Sequence, residues 1–259
     1  MKNRTGTIFP IVRVLDGIRR RDLRAIARAI SLLEDRAPGA ERLSAALQPR
    51  IGQAHRIGIT GPPGVGKSTL IAQAAPLLKR TGRSLAIIAV DPTSPKTGGA
   101  FLGDRVRMHS LVHDPRIFIR SIATRGATNG LAPSTRQVAD CFDAARFDPI
   151  LIETVGAGQH DWAITRLART TILVMTPGLG DTMQWLKAGL MELAHVIVVN
   201  KADHPGAATL VAALRRLYRH ADSRQWAVPV IPTIAERGTG VDDLAAAIRR
   251  HRTWSSTRA

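Results

Sequence analysis

The sequence predicts an α/β fold in which a mostly parallel central sheet is covered by helices on both faces and preceded by a helical appendage. Three observations predict it. Short runs that are continuously apolar rather than alternating recur along the chain with helical patterns between them, as expected of strands buried on both faces. A glycine-rich segment, Gly61-Pro62-Pro63-Gly64-Val65-Gly66-Lys67-Ser68-Thr69, joins one such run to a helical pattern. The first stretch, about 50 residues, has helical periodicity and no strand-like run.

In chain order, residues 19–34 place Leu23, Ile26, Ala27, Ile30 and Leu33 on one helical stripe with arginines opposite, which predicts an amphipathic helix. Ala37-Pro38-Gly39-Ala40 breaks it, a shorter helix covers Glu41 to Leu47, and Pro49 ends that one. Residues 1–50 are therefore assigned to the helical appendage, 51–252 to the α/β body and 253–259 to a short frayed tail. Within the body, strands are expected at Arg56–Thr60, Leu85–Val90, Pro149–Glu153, Thr171–Thr176, His195–Asn200 and Val228–Pro232. A helix is expected after Lys67, another around Arg107–Leu111, and a last one over Val241–His251.

Composition narrows the function classes. With 259 residues, 44% of them hydrophobic, the chain can bury a sizeable core, which argues against intrinsic disorder. The longest apolar stretches, such as Leu85–Val90, fall far short of the ~20 residues that span a bilayer, so no membrane partner is expected. The N-terminus lacks a sustained hydrophobic region and a cleavage site, so a cytoplasmic protein is expected. Cys141 is the lone cysteine, and no Cys/His spacing resembles a zinc site. Net charge is +17, yet 31 of the 37 basic residues are Arg, a bias that genome base composition explains more simply than a polyanion surface, so nucleic acid is not the expected partner. The six lysines are then informative: Lys67, Lys187 and Lys201 all fall in candidate phosphate or base motifs.

Residues 61–69 fit G-x-x-x-x-G-K-[ST] between a predicted strand and a predicted helix, the context of a P-loop NTPase. Its glycines let backbone N–H groups converge on phosphate oxygens, and the helix N-terminus adds a favourable dipole. Lys67 reaches the β- and γ-phosphates, and the Ser68 hydroxyl is placed to ligate Mg²⁺. The base is read further on, where Asn200-Lys201-Ala202-Asp203 closes an apolar strand. The Asp203 carboxylate can accept two hydrogen bonds from guanine, whereas adenine would present it with an acceptor. Asn200 can tie this loop to the phosphate loop, and the Lys201 stem can cover a base face. GTP or GDP is therefore the expected nucleotide. Between these motifs, Glu153-Thr154-Val155-Gly156 follows a strand, so Glu153 is expected to act on Mg²⁺ through water and the Gly156 N–H to sense the γ-phosphate. Asp91, after its own strand, and Asp104, in a glycine-rich loop, are candidates to complete the shell with Ser68 and Glu153; Asp104 reads equally well as a helix N-cap.

The chain resembles the MeaB/ArgK-type GTPases, which associate with adenosylcobalamin-dependent methylmalonyl-CoA mutase and its relatives. The resemblance runs from about Leu15 to His251 and rests on residues 58–69, 89–108, 153–159, 177–189 and 200–203; the second and fourth stretches are more specific than generic GTPase signatures. It implies that Asp104 belongs to a switch entering the Mg²⁺ site, with Asp91 and Glu153 beside it and Gln159 in the next switch. It also implies a third switch, Gly178–Gly189, in which Asp181, Gln184 and Lys187 serve communication with the mutase. The implied partners are an acyl-CoA mutase and, further, an adenosyltransferase; the implied role is a chaperone that gates cofactor loading and protects or reactivates the mutase. In the family a C-terminal arm used for dimerisation usually follows the GTPase body, whereas this chain stops about eight residues after its last predicted helix, which leaves a homodimer by that route open. Pro232-Thr233-Ile234-Ala235-Glu236 departs from the usual loop that closes on guanine, so no base contact is assigned there.

For catalysis, Lys67 and Mg²⁺ on the phosphates and a positioned water are the minimum, with Gln159 the candidate to orient that water. The runner-up reading is a nickel-delivery GTPase, for which one cysteine and scattered histidines offer few ligands. A nucleic-acid or membrane-targeting GTPase and a kinase follow.

Overall fold

The computed structural model describes residues 11–94, 99–100, 108–156, 161–178, 190–218 and 226–258. Seven strands form one sheet: β1 (Arg56–Thr60), β2 (Leu85–Asp91), β3 (Ile117–Ala123), β4 (Ile150–Glu153), β5 (Thr170–Met175), β6 (Val196–Val199) and β7 (Val230–Pro232), in the order β3-β2-β4-β1-β5-β6-β7. Every pairing is parallel. The helices are α1 (Ile11–Arg19), α2 (Leu23–Glu34), α3 (Ala40–Leu47), α4 (Lys67–Leu78), α5 (Thr135–Ala144), α6 (Leu190–Leu193), α7 (Ala207–Leu217) and α8 (Val241–Ser256).

The continuous apolar runs are strands covered on both faces. Along β2, Ala86, Ile88 and Val90 enter the core beneath α1, α2, α3 and α5, while Leu85, Ile87 and Ala89 enter the core beneath α4 and α8. A third cluster packs Leu173, Met175, Ile197 and Val199 under Val211 and Leu214 of α7. Central β1 lies so close to its cover that a Cβ on Gly58 would stand 2.3 Å from Ile164 Cγ1.

Four expectations about elements change. The helix expected over 19–34 is α2, which starts later, at Leu23, and α1 precedes it: Arg21 turns the chain between them at φ +59°, and Asp22 starts α2 by accepting hydrogen bonds from the Arg24 and Ala25 amides at 2.8 and 3.4 Å. Strand β3 was not expected, because Arg120 and Ser121 interrupt its apolar run; in the fold Arg120 Nε donates to Glu34 Oε2 of α2 at 2.9 Å, so the polar position is what covers this sheet edge. The helix expected around Arg107–Leu111 is a single 3₁₀ turn, His109–Leu111, within the described residues. The last helix continues through Ser256, past the point where a frayed tail was expected, because His251 is buried and Trp254 packs beside it and Trp226.

The chain entering β1 is anchored by α5. Asp143 accepts from the amides of Gly52, Gln53 and Ala54 at 2.7, 3.2 and 2.9 Å, and with Asp140 it also pairs Arg56. A carboxylate that is 1% exposed is thereby satisfied by three backbone donors and a guanidinium.

Candidate nucleotide site

The site forms where the central strands end. β1 runs into the glycine-rich loop, which turns directly into α4; Gly66, the residue before the helix, has φ +90°, and a Cβ there would stand 2.4 Å from Asn200 Nδ2. Glycine is needed at that position both for the left-handed backbone and for the approach of the neighbouring loop. Neighbouring strands β2, β4 and β6 deliver Asp91, Glu153 and Asn200 to the same edge, each at its strand's carboxyl end.

Between these loops lies a cleft of about 630 Å³ whose lining includes Lys67, Ser68, Asp91, Glu153, Lys201 and Glu236. Ser68 Oγ donates to Glu153 Oε1 at 2.8 Å. Lys67 Nζ folds back over the loop and donates to the carbonyls of Gly61 and Pro62 at 2.9 and 3.1 Å. Gly156 lies against the glycine-rich loop at φ +76°: a Cβ on it would stand 2.2 Å from the Gly61 carbonyl oxygen and 2.6 Å from Lys67 Nζ. Lys67, Ser68, Asp91, Glu153 and Asn200 are all buried, although each is polar or charged. Such groups are costly to bury unless partners or a ligand receive them.

Asn200 joins three loops. Its Nδ2 donates to the Val65 carbonyl at 2.8 Å, which is the tie between base loop and phosphate loop that the sequence suggested. Its Oδ1 accepts from Thr233 Oγ1 at 3.1 Å and from the Ala235 amide at 3.0 Å. Asp203 is half-exposed at the rim, 3.8 Å from Arg237. Thr233, Ala235 and Glu236 were left unassigned by sequence, yet they support the base loop or line the cleft. Position is the signal that could have found them: Thr233 follows β7 directly, as Asp91, Glu153 and Asn200 close or follow their own strands. Asp104, Gln159, Asp181, Gln184 and Lys187 lie outside the described residues.

The arrangement suits a phosphate chain laid across a helix N-terminus, with a base held by the Asn200 loop. Comparison with known proteins agrees. The family model described as methylmalonyl-CoA mutase-associated GTPase MeaB matches residues 26–258. A Pyrococcus horikoshii protein carrying a GTPase name is 44% identical over 247 residues, covering 94% of this chain and 78% of the relative. A fused isobutyryl-CoA mutase of Geobacillus kaustophilus is 37% identical over 250 residues, covering 88% of this chain and 23% of that longer protein. A crystal structure of a LAO/AO transport system kinase superimposes with a TM-score of 0.76 at 25% identity, covering 100% of this chain and 79% of the other. Among the described residues no helix is long and apolar enough to cross a membrane. With a family match over residues 26–258 and a glycine-rich strand-to-helix loop tied by Asn200 to the loop after β6, the chain belongs to the methylmalonyl-CoA mutase-associated GTPases and hydrolyses GTP on a P-loop fold.

Proposed function

We propose that this GTPase is a Mg²⁺-dependent switch serving an adenosylcobalamin-dependent acyl-CoA mutase, gating loading of the mutase's cofactor and protecting or reactivating the mutase. The observation that carries the proposal is the Geobacillus kaustophilus fused mutase: a protein named as an isobutyryl-CoA mutase contains, within one polypeptide, a stretch similar to 88% of this chain. Fusion keeps two functions at high effective concentration, which is useful when one acts on the other.

The residues fit a Mg²⁺ ion. Ser68 Oγ and Glu153 Oε1 are already in contact at 2.8 Å, and the buried Asp91 lines the same cleft, so hydroxyl and carboxylate oxygens of the kind that a hard cation takes are gathered at one place. Ser68 would hold the ion directly, with Glu153 and Asp91 acting on its bound waters. The chemistry the ion supplies when bound is neutralisation of phosphate charge.

The protein's own groups do the rest. Lys67 exchanges the carbonyls of Gly61 and Pro62 for the β- and γ-phosphates, so its charge is held ready in the loop before nucleotide arrives. Gly156 lies against that loop, and its amide donates to the terminal phosphate, so this contact is lost when the phosphate leaves. Asp203 reads the guanine edge, and Asn200 keeps the base loop in register with the phosphate loop. Turnover of this set is slow until the mutase completes the site.

The test is GTP turnover and GDP release with Mg²⁺, with and without purified candidate mutase, in the wild type and in Lys187→Ala. Acceleration by the mutase that the substitution removes, while GTP still binds, supports the reading. Unchanged turnover with every adenosylcobalamin mutase tried sinks the client assignment and leaves the GTPase standing.

A further inference from the structure

A second cavity of about 600 Å³ opens at the opposite end of the sheet, between the last turns of α4 and α8 and the residues that precede β1 and β4. Its floor is apolar, from Leu77, Leu78, Pro149 and Ile248. Its rim is basic, with Lys79, Arg80, Arg249 and Arg252, and among the described residues no carboxylate lines it. Two carboxylates pair with rim cations: Asp114 holds Lys79, and Asp148 lies buried behind the arginines. Asp148, 4% exposed, accepts from the His55 amide at 3.0 Å, from both terminal nitrogens of Arg252 at 2.9 Å, and from Arg80 Nη1. Burial works to raise the Asp148 carboxyl, and those hydrogen bonds more than offset it, so it stays ionised below its ordinary range. Arg249 is fixed separately, by donating from Nη1 to the Leu77 carbonyl at 3.2 Å.

Two guanidinium groups, those of Arg80 and Arg252, thus share one buried carboxylate, and its position decides their orientation. A guanidinium carries five N–H donors, and Asp148 uses at most two from each of Arg80 and Arg252. The remaining donors of forks already fixed in place meet an incoming anion at reduced entropic cost. A cavity of this size, with an apolar floor and a few fixed polar groups, has the make-up of a small-molecule site.

We propose that this groove binds a small organic anion, a phosphate or carboxylate head held by Arg80, Arg249 and Arg252 with an apolar body resting on Leu77, Pro149 and Ile248. The site is separate from the nucleotide cleft and independent of the mutase assignment. It is tested on the full chain saturated with GDP and Mg²⁺, so that the phosphate loop is filled, by calorimetric titration at constant ionic strength with phenyl phosphate in one arm and benzoate in the other. The two arms distinguish a phosphate head from a carboxylate head.

One further equivalent of either anion should bind, and the Arg80→Ala/Arg249→Ala double variant should weaken it at least tenfold. Both side chains are exposed, so the double variant is expected to fold, with circular dichroism as the check. The control is Arg19→Ala/Arg20→Ala, two exposed arginines on the α1–α2 turn, which should leave binding unchanged. No additional equivalent in either arm overturns the proposal. Equal loss in both double variants overturns it too, since the anion then answers to overall charge.

Discussion

The two ends of the sheet bury similar polar side chains and use them differently. At the carboxyl end, Lys67, Ser68, Asp91, Glu153 and Asn200 are buried around a cleft of about 630 Å³ that a ligand can enter. At the amino end, beneath the second cavity, several polar groups bond one another, although His251 Nε2 and Thr171 Oγ1 are buried without a hydrogen bond among the described residues. Thr170 Oγ1 shares hydrogen bonds of 2.7 Å with both His55 Nε2 and His251 Nδ1, His195 Nδ1 accepts from the Thr171 amide at 3.0 Å, and Trp226 Nε1 donates to the His195 carbonyl at 2.6 Å. His195 and His251 lie 4.2 Å apart, centre to centre, under Trp226 and Trp254. Loops diverge and a helix begins where the strands end, which leaves room for a ligand; the returning α8 closes the other end with rings. Polar burial at the first end surrounds an open cleft, whereas at the second it packs hydrogen-bonded rings into the core.

Substitutions should therefore separate activity from stability. The largest effect is expected for Lys67→Ala, which removes charge from the phosphate site: phosphate release should fall by ~10²–10³-fold with little change in the thermal melt. A melt that collapses together with activity would break the contrast between the two ends. Next comes Asp143→Ala, which strands the amides of Gly52, Gln53 and Ala54 and leaves the Arg56 guanidinium with Asp140 alone. Loss of a buried, multiply bonded carboxylate should cost about 3–5 kcal/mol, read from urea unfolding, while the folded fraction keeps its GTP affinity.

The histidines offer a sharper probe. Burial lowers His55 to about 4 and His251 to about 3, in each case helped by neighbouring positive or titrating groups, and burial lowers His195 as well. Each folded value lies below the unfolded 6.5, so the unfolded chain binds more protons in acid. Their contribution to stability is complete above about pH 6.5 and is lost as pH falls toward the folded values. His251→Phe should flatten the urea midpoint between pH 7 and 4.5, by up to ~1.4 kcal/mol for each pH unit; an unaltered slope would mean that His251 does not resist protonation in the fold. The smallest effect is expected for Arg125→Ala, whose ion pair with Asp35 is exposed on both sides; unfolding should shift by no more than ~1 kcal/mol.

How much could be read in advance follows the range of the interactions. The places of the glycine-rich loop and of Asn200-Lys201-Ala202-Asp203 at strand ends were legible because the pattern is local: a turn, a helix start and a polar run just past an apolar strand. Asp91 and Glu153 were legible because parallel strands align their carboxyl ends. Strand β3 was not legible, since the partner of Arg120 is Glu34, 86 positions earlier. Nor was the anchoring role of Asp143, whose amide partners lie 89 to 91 positions earlier, or the support given to Asn200 by Thr233 and Ala235.

The amino-acid sequence alone determined the layered α/β class, the boundaries of β1, the start of α4, and the phosphate and base motifs, because hydrophobic period and glycine placement act within a few residues. Tertiary structure alone decided what each buried carboxylate meets, and so which of them tie the chain down. Glu153 meets Ser68 across the cleft floor, whereas Asp143 and Asp148 meet amides and guanidinium groups brought from distant segments. A buried charge is defined by its partners, and for these residues the partners are neighbours only after folding.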